Sequence, residues 1–244
     1  MLWHRGGVAF HRIRVHRPAP KLDDIRTVVA ESLGPSGVAF APGASVAIAV
    51  GSRGIGGVVE VVGEVAAWVR RMGGLPFLVP AMGSHGGATA DGQREVLESY
   101  GLGALGLEIR SSMGVVELPR GELPVPVVFD ATAATADATI VVNRVKPHTD
   151  FHGRYESGVM KMTAIGLGKR VQAEALHSYG TYGLRELMPL VARQVLAHAN
   201  VVLGVAIVEN SRDETMHVEA IPAHRLPDRE PELLELARAN MPTL

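Results

Sequence analysis

The chain has 244 residues, 47% of them hydrophobic, with 24 basic and 25 acidic side chains and a formal charge of -1. This is enough for one large domain or two small ones around an ordinary buried core, and no basic stripe could neutralise a run of nucleic-acid phosphates. The absence of cysteine excludes disulfides, thiolate zinc sites, cysteine-ligated iron–sulfur clusters and a cysteine nucleophile, so a bound metal must rely on imidazole, carboxylate or a cofactor's own atoms.

Residues 1–44, carrying His4, His11, His16 and PAPKL, read as an irregular or partly β N-terminal segment with solvated histidines, packed on a domain spanning 45–244. SVAIAVG (45–51) predicts a buried strand, GVVEVVGEVAAWVRRMGG (57–74) a helix stopped by its glycine pair, and PFLVPAMG (76–83) a second strand. A helix near ADGQREVLESYG (90–101) follows, then uncertain short strands over 106–129. DATIVVN (137–143) predicts a further buried strand, LRELMPLVARQVLAHA (184–199) a helix, and NVVLGVAIVEN (200–210) another strand. PDREPELLELARANMPTL supplies a last, acidic-started helix broken at MP, where an α/β protein would ordinarily feed one more strand.

This alternation predicts an α/β class: a Rossmann-like, mostly parallel sheet flanked by helices. The aliphatic run VVLGVAIV at 201–208 is too short to cross a bilayer, and MLWHRGGVAFHR lacks the apolar segment of a secretion signal. A cytoplasmic protein without a membrane or nucleic-acid partner is expected.

Open α/β sheets bind ligands at the carboxyl ends of their strands. The first strand runs into GSRGIGG (51–57), where a helix N-terminus and Arg53 suit an anion. The glycine spacing is not that of a dinucleotide fingerprint, and no phosphate-loop lysine follows. The second strand ends in AMGSHGGATADG (81–92), with His85 between glycines that let the backbone approach a ligand. The third delivers Asn143, Arg144, Lys146, His148, Asp150 and His152 within ten residues. In SGVMKMTAIGLGK, Lys161 lies among apolar neighbours, either snorkelling out of a helix or partly desolvated and available for covalent chemistry. His177 follows sixteen residues later, a spacing that does not make a zinc site of helix-face histidines.

GSRG at 51, GSHGGAT at 83, PHTDFHG at 147, SGVMK at 157 and His177, in this order, resemble the N-terminal domain of the nickel-dependent lactate racemase family over about positions 40–210. The resemblance implies a 2-hydroxy acid racemase or epimerase acting on a small carboxylate substrate. It implies nickel in a pyridinium-3,5-bisthiocarboxylic acid mononucleotide-type pincer cofactor, tethered to Lys161 and ligated by His177. Gly51, Ser52 and Arg53 fall in the cofactor-contacting turn, with Arg53 near the substrate. His85 and His148 fall on the proton donor and acceptor, with His152 competing for the second role.

Such a reaction takes hydride from the α-carbon while a base takes the hydroxyl proton, and returns hydride to the other face. One base is needed for each enantiomer, and histidine serves in either protonation state near neutrality. The cofactor supplies the soft sulfur ligands that a cysteine-free chain lacks. Departures from the lactate-specific motifs point to another hydroxy acid. The family's C-terminal domain is expected to be absent here, the missing half being supplied by another polypeptide or a homo-oligomer, or lost only from this sequence. The alternative is a truncated, inactive fragment that retains a cofactor- or anion-binding cleft.

Overall fold

The computed structural model describes residues 18–51 and 54–241. In chain order it contains α1 (Ile25–Leu33), β1 (Ser45–Val50), α2 (Val58–Arg71), β2 (Leu75–Pro80), α3 (Ala90–Ser99), β3 (Val115–Glu117), β4 (Val128–Asp130), α4 (Ala131–Ala134) and β5 (Ala138–Arg144). Then come α5 (Val159–Lys161) and a π turn (Met162–Gly166), α6 (Lys169–His177), α7 (Gly180–Tyr182), and a second π turn (Gly183–Leu187) running into α8 (Met188–His198). The chain continues through β6 (Val201–Glu209), β7 (Thr215–Pro222) and α9 (Leu226–Asn240).

Five strands form one sheet in the order β2-β1-β5-β6-β7. Its first four strands are parallel and β7 returns antiparallel to β6. The fold is therefore α/β with a mostly parallel sheet flanked by helices. β1 is buried on both faces, which explains its unbroken apolar run. Val46, Ile48 and Val50 pack toward α1 and α2, whereas Ala47 and Ala49 face α6, α8 and α9 across the sheet. From β1 the chain steps outward to β2 and later returns to β1's other side as β5. The point of reversal opens a crevice at the carboxyl ends of β1 and β5.

Two expectations need correction. The described part of the N-terminal segment is irregular at both ends but not partly β: IRTVVAESL between them is helical, begun by Asp24, whose side chain accepts the Thr27 N–H at 3.1 Å, while His4, His11 and His16 lie outside the described residues. The predicted helix over 184–199 starts as a π turn and becomes regular only from Met188. β7 and α6 lie where no element was predicted. Among the described residues no helix is long and apolar enough to cross a membrane.

α9 is fastened to the segment preceding α5. Pro231 has no N–H to offer the carbonyl four residues earlier, and the Tyr155 hydroxyl donates to that carbonyl, Pro227 O, at 2.5 Å. This docks the 154–160 segment, whose next residue is Lys161, onto the last helix.

Candidate active site

A cavity of about 420 Å³ lies at the crevice between β1 and β5. His85, His148, Lys161 and His177 all line it, brought together from four separate stretches of chain. Arg144, Lys146, Asp150 and Ser157 add polar groups, and Met162, Ile165 and Leu184 form an apolar wall. The volume falls in the range of small-molecule sites, about 300–1,000 Å³.

The floor is built by close backbone approach. A side chain on Gly51 would collide with Asn143 Oδ1, with Met162 Sδ lying just behind at 3.5 Å. Asn143 Nδ2 donates to Arg144 O at 2.9 Å and Gly158 O at 3.1 Å, joining the end of β5 to the start of α5. The Gly83 N–H donates to Gly166 O at 3.2 Å, so the turn after β2 rests on the π turn after Lys161. An extra residue wound into a helix at this point re-aims the side chains around it, as π turns often do at functional sites.

The turn after β1 already holds an anion from within the protein. Glu209, at the end of β6, accepts the Gly56 N–H at 2.7 Å and pairs with Arg144. Both side chains of that pair are nearly buried, so Arg144 brings little net charge to the cavity. Lys146 differs: its backbone is held on both sides by Ser157, N to O at 2.8 Å and O from N at 3.1 Å, and the residue lines the cavity. Sequence reasoning passed over Lys146 as one more polar residue of a crowded loop. Ser52 and Arg53 lie outside the described residues.

His148 is half-buried, its ring centroid 4.4 Å from that of Phe151. The Asp150 N–H donates to its Nδ1 at 3.1 Å, so the neutral ring carries its proton on Nε2. The loop is gathered by Glu156, a fully buried carboxylate that accepts N–H groups from His148 at 2.5 Å and Gly153 at 3.2 Å and pairs with Arg238 of α9 at 2.5 Å. Burial works to raise the Glu156 carboxyl, but those N–H groups and the Arg238 guanidinium outweigh it and hold it below the usual carboxylate range. His152 reaches Glu156 from outside at 3.3 Å, with its side chain 78% exposed and off the cavity wall. Of the two competing histidines the cavity therefore contains His148.

Lys161 is half-buried, its Nζ 5.7 Å from the centroid of Phe151. His177 closes α6, where the partial negative charge of a helix C-terminus favours a cation. Among the described residues no three His, Asp or Glu side chains converge as a metal site, so a metal here would need ligands from a bound molecule.

No family model matches the chain, and no curated protein matches its sequence. In structure it is similar to the lactate racemase apoprotein from Thermoanaerobacterium thermosaccharolyticum, with a TM-score of 0.60 and 14% identity, covering 93% of this chain and 59% of that one. The chain thus spans 59% of the length of the structure it matches, and at this identity the likeness is one of fold: it has a lactate racemase-like α/β fold.

Proposed function

We propose that this chain is the cofactor-carrying part of a 2-hydroxy acid racemase or epimerase. The observation that carries the reading is the convergence of Lys161, His177, His85 and His148 on one cavity at the point where strand order reverses. A nickel-pincer nucleotide fits the donor set of these residues: a single imidazole from the protein is enough for a metal that draws its other ligands from the cofactor. Lys161 would tether the nucleotide and His177 would complete the nickel coordination. When bound, the group supplies a hydride acceptor for the substrate's α-carbon.

The chain's own residues do the rest. Lys146, on the cavity wall, receives the substrate carboxylate through a charge-assisted hydrogen bond, a role the family resemblance gives to Arg53. Met162, Ile165 and Leu184 keep water from the keto acid stage. His85 and His148, both on the cavity wall, handle the hydroxyl proton, one for each enantiomer. In the described geometry neutral His148 presents Nε2–H as a donor to the substrate oxygen. To accept the hydroxyl proton at Nε2 its ring must first give up the Asp150 N–H, because Nδ1 then has to carry hydrogen. A further domain or a second chain would close the cavity from solvent.

The test is intact-mass and metal analysis after expression alongside the cofactor-making enzymes. A covalent adduct is expected on the wild-type chain, none on Lys161→Ala, and an adduct with reduced nickel on His177→Ala. Inversion of small 2-hydroxy acids should accompany loading and fall by at least about a hundredfold in His85→Ala. An unmodified wild-type chain, under conditions that load a known racemase, overturns the reading. Loading without inversion leaves a cofactor-binding protein and overturns the catalytic part alone.

A further inference from the structure

Beneath the turn that carries His85 lies a buried polar chain that the proposed chemistry does not use. Lys169 has 0% exposure and a backbone φ of +52°, a left-handed conformation uncommon for a residue with a side chain. Its ammonium pairs with Asp130 Oδ2 at 2.7 Å and donates to Pro80 O at 2.5 Å and Gln93 Oε1 at 3.3 Å. Burial holds this ammonium below the usual lysine range, against the opposing pull of the Asp130 charge. Gln93 is also fully buried, and its Nε2 donates to Gly83 O at 2.9 Å and to His85 O at 3.2 Å.

Chemistry fixes the direction of each link. An ammonium can only donate, so the Gln93 amide must turn its oxygen to Lys169 and its NH₂ toward the turn. The NH₂ then clasps two carbonyls, one two residues before His85 and one on His85 itself. Close approach makes this reach possible: a Cβ on Gly86 would stand 2.8 Å from Gln93 N, so α3 seats directly against the turn. An apolar filling would stabilise such a region as well as a buried ion pair does, so stability alone does not account for the arrangement.

We propose that Asp130, Lys169 and Gln93 act as a positioning relay that fixes the backbone direction, and with it the imidazole direction, of His85. The inference rests on the racemase reading for the role of His85, but the relay itself can be tested without it. Gln93→Glu is the informative substitution: it keeps the shape and the Lys169 contact but replaces the NH₂ with an acceptor that faces two carbonyls.

In the isolated chain, with ring protons assigned through His85→Gln, the His85 Cε1–Hε1 resonance is expected to shift and broaden in Gln93→Glu and to change its titration midpoint. The His148 and His177 resonances should hold theirs. In the wild-type chain the Gln93 side-chain amide protons should exchange with water as slowly as core backbone amides. In the loaded enzyme kcat should fall by about a hundredfold with KM nearly unchanged, the effect of misplacing a catalytic group by about 1 Å, while adduct and nickel remain. An unmoved His85 resonance in a folded variant overturns the relay, and so does rapid exchange of the wild-type Gln93 amide, which also decides the matter if the variant does not fold. A His85 response without inversion by the wild-type enzyme would leave the relay standing and count against the racemase reading.

Discussion

A Lys169→Met chain is expected to lose about 3–5 kcal/mol of stability, the cost of leaving a buried charge without its partner. Asp130 and Lys169 are both fully buried, and methionine fills most of the lysine's volume while offering nothing to the carboxylate. Asp130 cannot turn elsewhere, because its other oxygen accepts the Ala133 N–H at 2.8 Å and starts α4. Pro80 O and Gln93 Oε1 lose a donor in the same step. The double variant Lys169→Met with Asp130→Leu removes both charges and should recover the part of the loss due to the unpaired carboxylate, leaving roughly 1 kcal/mol for the missing helix cap and about 1–3 kcal/mol for the unpaired Pro80 O and Gln93 Oε1. Urea unfolding of the wild type and these two variants at neutral pH gives the comparison. If the single variant loses no more than the double variant does, the pair is not the buried, mutually dependent one described here.

The same pair marks what a sequence hides. β1 and β5 were legible because strands buried on both faces spell continuous aliphatic runs, SVAIAV and ATIVVNR. His148 stood out because polar residues crowd the end of the β5 run, and His85 because it sits between glycines where the β2 run ends. β7 did not stand out: TMHVEAIP pairs antiparallel along the sheet edge, and its brief alternation of Met216, Val218 and Ala220 with His217 and Glu219 is a weaker signal than the continuous aliphatic runs of the central strands. α6 was missed because KRVQAEALH reads as a solvated surface, although Lys169 and Gln172 are buried by partners far away in sequence. Gln172 Oε1 accepts the Val128 N–H at 3.0 Å, a contact no local pattern announces. Local periodicity records which face of an element is apolar, but pairings between buried polar groups depend on tertiary contacts and leave no such record. The candidate site was therefore readable in its exposed chemistry and unreadable in its supports.

Glu230 is the other hidden support, and it makes stability depend on pH. The acidic pattern of PDREPELLELARAN suggests a solvated helix, yet Glu230 is buried with its Oε2 accepting the Met160 N–H at 2.9 Å and its Oε1 without a hydrogen-bond partner. Burial raises its carboxyl from 4.5 to about 7, with only the Met160 and Val159 N–H groups opposing. The folded chain thus keeps a proton that the unfolded chain has released. Its contribution is complete below the unfolded value of 4.5, declines as pH rises toward 7, and is absent above that. The span corresponds to a loss on the order of 3 kcal/mol. Glu156 and Glu219 have lowered values, so their contributions fade only in more acidic solution, below this window. Glu230→Gln keeps an acceptor for Met160 and has no proton to lose. The wild-type chain should lose thermal stability between pH 5 and 8, by roughly 2–4 °C for each kcal/mol, while the glutamine variant holds nearly level and becomes the more stable of the two at pH 8. Parallel slopes for the two chains would mean that Glu230 is already ionised in the fold. Because Glu230 holds the N–H of the residue just before Lys161, the same titration is expected to loosen or tighten the start of α5, and amide exchange at Met160 should follow the same midpoint.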